Sequence, residues 1–117
     1  MLIFPVKKEW YDKIKRGEKT IEYREVKEYW TKRIVLNFFR PMFGLYSPEE
    51  VFKKVASLGF SKQFDACAMP CCALRLGYTS KYLRACISKI EVVNGKNTDL
   101  KIDKPVYAIH LIDVKEV

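Results

Sequence analysis

The sequence predicts a small α+β domain, a curved mixed sheet with flanking helices, and three observations carry that expectation. The 117 residues, 49% hydrophobic and 14% aromatic, are enough for one core, so residues 1 to 117 read as a single domain rather than a disordered chain. Strand-like and helix-like patterns alternate through the first half, and three strand-like runs close the chain, in the order β-α-β-α-β-α-β-β-β. The last run is apolar on both faces (Tyr107, Ile109, Leu111 against Val106, Ala108, Ile112), as strands of a barrel or a covered sheet are.

Leu2 to Val6 is a short apolar run and reads as a buried first strand. Val6, Trp10 and Ile14 then recur at helical spacing among lysines, and Gly17 follows as a residue suited to ending a helix, so residues 7 to 16 are an amphipathic helix with Trp10 on its core face. Thr20 to Arg24 alternates with period two, which puts Ile21 and Tyr23 on one face and Thr20, Glu22 and Arg24 on the other. Val26, Tyr29, Trp30 and Arg33 fit a second helix over 26 to 33, and the apolar, partly β-branched run Ile34 to Phe39 reads as a buried strand. Ser47, Pro48 and Glu50 form a helix start with a capping box, and Val51, Phe52, Val55 and Leu58 give that helix its apolar face up to Gly59. Phe60 to Pro70 has no readable pattern. Cys72 to Tyr78, Leu83 to Val93 and Val106 to Val114 are the closing strands, with a turn signal at Asn94-Gly95.

Composition narrows the function classes. Apolar runs are a handful of residues long, far short of the roughly 20 a membrane-spanning helix needs, so no membrane association is expected. The first residues lack the basic stretch and long apolar run of a signal peptide, and the expected location is the cytoplasm. Twenty-two Lys and Arg against fourteen Asp and Glu give a formal charge of +8, which raises the local concentration of polyanions. The charge alone fits a nucleic-acid binder and a merely basic protein equally well.

The four cysteines, Cys67, Cys71, Cys72 and Cys86, read as reduced, buried and inert thiols. Their C-x-x-x-C-C run lacks the paired spacing of structural zinc sites, and His110 is the single histidine, so neither a metal nor a cofactor is expected. His110 sits in an apolar strand, where a packed side chain is the simpler reading than a nucleophile's partner. The scattered glycines form no phosphate loop.

The segment that carries chemistry is Gly17-Glu18-Lys19-Thr20-Ile21-Glu22-Tyr23-Arg24, of the form G-x-K-x-x-E-x-R, laid across a helix end and into a strand. Strand parity puts Glu22 and Arg24 on one face with Lys19 at the turn before them. Such a group can clamp a phosphate or ribose through Lys19 and Arg24 while Glu22 accepts hydrogen bonds from a base or an attacking water. The same residues also fit a surface strand carrying an exposed Glu22–Arg24 ion pair, which is worth little.

That segment resembles the signature of the ASCH domain family, related to the PUA RNA-binding domain. The strand and helix before it and the aromatic-basic stretch Val26 to Arg33 after it match the family's context, and Leu74-Arg75-Leu76-Gly77-Tyr78 resembles an R-x-G-Y strand end found in many members. The likeness covers about residues 1 to 40 and 72 to 114, and residues 41 to 71 look like an insertion.

The resemblance implies a PUA-like small β-barrel, with the signature lining a cleft that binds RNA or a nucleotide. Lys19, Glu22 and Arg24 would line one side, and Arg75 and Tyr78 the opposite wall. It also implies an alternative, a hydrolase in the same cleft: a nucleoside amidohydrolase or a ribonuclease, with Lys19 as nucleophile or base, activated by burial, and Glu22 moving protons. The chain departs from the amidohydrolase branch, in which a threonine stands at the position of Glu22. A third reading is a protein-interaction domain in transcription regulation that docks a partner through residues 42 to 70, of which 42 to 58 are rich in apolar side chains. Among the aromatics, Trp30 and Tyr78 are candidates for stacking on bases.

Overall fold

The structure, a computed structural model, describes residues 2–38, 53 and 59–117. In chain order the elements are β1 (Leu2–Val6), α1 (Lys8–Lys15), β2 (Ile21–Glu25), α2 (Glu28–Phe38), β3 (Ser61–Gln63), β4 (Cys71–Leu76), β5 (Tyr82–Asn94), a 3-10 turn at Gly95–Asn97, and β6 (Pro105–Glu116). The strands hydrogen-bond in the order β1-β4-β5-β6-β2, with β3 paired to β5. β1 runs parallel to β4 and β4 antiparallel to β5, so the architecture is α+β on a mixed sheet. The chain divides into two units, one of Met1–Glu22, Gln63–Lys89 and Ile109–Val117, the other of Tyr23–Lys62 and Ile90–Ala108.

In the first unit, alternation buries Leu2, Phe4 and Val6 of β1 and leaves Ile3 exposed. Phe4 lies opposite Leu74 of β4, and Leu74 opposite Leu83 of β5. All three are fully buried, so one apolar row crosses three strands. Helix α1 ends in a Schellman motif: the Gly17 N–H donates to Ile14 O at 3.1 Å and the Glu18 N–H to Lys13 O at 2.9 Å. Gly17 takes φ +79°, a conformation that costs a side chain strain, which explains the glycine the sequence places there. The helix buries Tyr11 and Ile14, whereas Trp10 is only half-buried. The expected Val6-Trp10-Ile14 core stripe is thereby corrected: Val6 belongs to β1, and Tyr11 and Ile14, three apart, form the seam.

In the second unit, α2 runs to Phe38, so the strand expected over Ile34 to Phe39 is not formed in its described part. A short apolar run fits a buried strand and a buried helix turn equally well. Here Ile34 falls three residues after Thr31, on the same helical face, and both are buried. The Thr31 and Tyr107 hydroxyls hydrogen-bond at 2.5 Å, tying α2 to β6, and burial pushes the Tyr107 phenol up to about 12. Residues 106 to 109 of β6 are all buried, as an apolar strand on both faces requires, while Ile112 is exposed. In β5 the buried positions change parity between Ile87 and Ile90, the displacement that one extra residue in a strand produces. The helix expected from Ser47 to Leu58 lies outside the described residues apart from Lys53, as does the apolar part of the expected docking segment.

Gly95 is needed for space. A Cβ added there would lie 2.7 Å from Val106 Cγ1 and 2.8 Å from the Ile102 carbonyl oxygen. The Gly95 N–H is held by Lys104 O at 2.8 Å, so the backbone has little room to retreat. Gly95→Ala is therefore expected to cost about 1–3 kcal/mol by overpacking, read as a lower urea midpoint with an unchanged slope.

Candidate functional site

The G-x-K-x-x-E-x-R segment follows directly from the helix end just described. The Lys19 N–H also donates to Lys13 O, at 3.1 Å, so the turn that carries Lys19 is pinned to the last turn of α1. β2 is then seated at both ends by backbone hydrogen bonds: Leu111 N–H to Thr20 O at 2.8 Å, and Val26 N–H to Pro105 O at 3.2 Å. β2 stands at one end of the strand order.

Each cation of the segment lies over an indole. Lys19 Nζ is 5.3 Å from the centre of the Trp10 ring, which Lys13 Nζ also approaches, at 5.0 Å. The Arg24 guanidinium is 4.8 Å from the Trp30 ring, and Trp30 meets Tyr29 edge-on, their centroids 5.0 Å apart. Rings positioned this way attract the cation electrostatically and hold it over their π face. Trp10 and Trp30 are both half-buried, which leaves part of each ring within reach of solvent.

Glu22 alternates with Arg24 along β2 and is the buried member, 7% exposed, while Ile21 and Tyr23 are half-buried. Its charge is felt by the Cys72 thiol, which burial above all, and then the charges of Cys71 and Glu22, push up to about 12. Glu22 itself is thus covered, the reverse of what an exposed ion-pair strand would give. Lys19 is half-buried, so the full burial that would activate a lysine nucleophile is not reached.

Arg75 and Tyr78 belong to β4 and the turn after it. Arg75 shares the face of Cys71 and Ala73, opposite to Cys72 and Leu74. Its Nε–H donates to Gly77 O at 3.2 Å, and its guanidinium lies 5.5 Å from the Tyr78 ring centre. The turn is tied by Gly77 N–H to Val6 O at 2.9 Å and Leu76 N–H to Lys81 O at 2.9 Å, and it presents Tyr78 with 89% of its surface exposed. The charge of Glu22 thus reaches Cys72, on one face of β4, whereas Arg75 stands on the opposite face and pairs with Tyr78.

Two features went unread in the sequence. Arg33 packs its guanidinium 3.5 Å from the Tyr29 ring centre and donates to Tyr29 O at 3.3 Å, a contact at i and i+4 that the helical spacing of these two residues already contained. The cysteines are not uniformly buried: Cys72 is, but Cys67 is exposed and Cys71 and Cys86 are half-buried. Among the described residues no group of three or more His, Cys, Asp or Glu side chains is placed to hold a metal ion, and no helix is long and apolar enough to cross a membrane. In comparisons with known proteins, no family model, no curated protein and no solved structure matches the chain.

Proposed function

We propose that the chain is an RNA- or nucleotide-binding domain with a PUA-like fold of the ASCH type. Lys19 and Arg24 contact phosphate or base, Glu22 accepts hydrogen bonds, and Arg75 with Tyr78 supplies a further stacking contact. The observation that carries the reading is the pairing of cation with ring at all three basic positions singled out from the sequence: Lys19 with Trp10, Arg24 with Trp30 and Arg75 with Tyr78. Single-stranded nucleic acid is held by this combination, because bases stack on aromatic faces while guanidinium and ammonium groups take the phosphates. The net charge of +8 favours the same class of ligand.

Tyr78 gives the most direct test, since a ring 89% exposed contributes little packing to the fold. Stacking on a single base is worth about 1–3 kcal/mol, so Tyr78→Ala is expected to weaken binding of a labelled single-stranded RNA roughly 5- to 150-fold, with the melting temperature unchanged. Fluorescence anisotropy at several salt concentrations measures it. The parent should lose affinity steeply as salt rises, by a slope of about 0.7 in log K per phosphate contacted. Affinity that is flat with salt, or absent at low salt, would remove the reading.

A further inference from the structure

The second chemical feature of the molecule lies on the solvent side of β4 and β5. Cys71 and Cys86 are directly opposed across this antiparallel pair. The ladder fixes which kind of pair they are. Ile87 N–H donates to Pro70 O at 2.9 Å, and Leu76 N–H to Lys81 O at 2.9 Å, so 70/87 and 76/81 are hydrogen-bonded positions. Counting from either end by alternation makes 71/86 a non-hydrogen-bonded position. At such positions the Cα atoms approach to about 4.5 Å and the side chains stand closest, within the roughly 4.4–6.8 Å range that a disulfide spans.

The surroundings fit sulfur chemistry. Both residues are half-buried, hence reachable by a small molecule, and all the cysteines are free. Burial, and then the neighbouring Cys71 thiol, raise the Cys86 thiol above its usual range. Arg84, two residues along the same face of β5, donates from Nη2 to Cys71 Sγ at 3.8 Å and places positive charge where negative charge collects on sulfur during exchange. Cys72 is excluded by parity: it points to the other face and is fully buried.

We propose that Cys71 and Cys86 form a reactive dithiol that oxidises reversibly to a cross-strand disulfide by exchange with a small disulfide of the glutathione type. The Cys71 thiolate attacks one sulfur of oxidised glutathione and expels one glutathione as thiolate, leaving a mixed disulfide on Cys71. Cys86 gives up its proton to solvent and attacks the Cys71 sulfur, and the second glutathione leaves. Two protein thiols have then lost two electrons, and one glutathione disulfide has become two glutathione thiols.

The test incubates the full chain with oxidised glutathione, quenches with acid and titrates thiols after denaturation. The thiols of residues 71 and 86 are expected to disappear from the count of four without retaining glutathione, with peptide mapping joining residue 71 to residue 86. Dithiothreitol should restore all four. Cys86→Ser should stop at the mixed disulfide, carrying one glutathione on Cys71, whereas Cys67→Ser should oxidise as the parent does. Mapping of the parent alone keeps the proposal testable if a variant fails to fold. A bond from Cys67 to either residue, a chain-to-chain dimer, or glutathione adducts on residue 71 or 86 of the parent that never resolve would overturn it.

Discussion

Replacing Lys19 and Arg24 together by alanine is expected to abolish RNA binding while leaving the protein folded. Two charge-assisted contacts at about 1.5–3 kcal/mol each amount to a loss of at least about 100-fold. The salt dependence should fall in step, the slope of log affinity against log salt dropping by about 1.4 as two phosphate contacts disappear. The fold is expected to survive because main-chain groups seat the segment. The turn and β2 are held by main-chain groups, through Glu18 N–H to Lys13 O, Leu111 N–H to Thr20 O and Val26 N–H to Pro105 O. Among its losses are the packing of an ammonium on Trp10 and of a guanidinium on Trp30, both half-buried rings. Anisotropy with a labelled single-stranded RNA and a thermal melt on the same samples give both answers. A double variant that binds as tightly as the parent would show that the G-x-K-x-x-E-x-R segment is not the contact surface. A parent that binds no RNA would end the broader reading instead.

How far the molecule was readable from its sequence depended on whether the signal was local. Gly17 ends α1 for a reason confined to five residues, and it was legible. β1, β4, β5 and β6 were legible too, since their alternation or apolar length needs no knowledge of partners. Ile34 to Phe38 was misread as a strand because an apolar run records that residues are to be buried, not against what, and here α2 simply continues. Trp10 and Tyr11 illustrate the same limit on a finer scale. Both are large and aromatic, adjacent on one short helix, and only the packing of α1 decides that Tyr11 goes in while Trp10 stays half out beneath two lysines. Strand parity correctly separated Glu22 and Arg24 from Ile21 and Tyr23, yet parity names two faces without saying which one is covered. That Glu22 is the buried one, and that its charge reaches Cys72 fifty residues on, follows only from the tertiary fold. The opposition of Cys71 and Cys86 was invisible for a related reason: it exists only once the register of β4 on β5 is known.

Leu74 and Arg75 turn this distinction between fold and site into an experiment on two neighbouring residues. They are consecutive in β4 and so face opposite ways. Leu74 is fully buried in the centre of the row that joins Phe4 to Leu83, and Leu74→Ala leaves a cavity bounded by three strands. Such deletions cost about 2–5 kcal/mol, a large part of the roughly 5–15 kcal/mol that holds a domain together. The melting temperature should drop by roughly 10 °C or more. Any RNA binding should persist with its salt slope intact at temperatures where the variant is folded. Arg75→Ala removes a half-exposed guanidinium, its hydrogen bond to Gly77 O and its packing against Tyr78. Its stability cost should stay near 1 kcal/mol, the worth of one ordinary hydrogen bond, and its effect should fall on binding. Melts and anisotropy on the two variants should therefore give opposite patterns. If Arg75→Ala lowers stability as much as Leu74→Ala and leaves RNA affinity untouched, Arg75 is a part of the scaffold, and the contact surface must be sought without it.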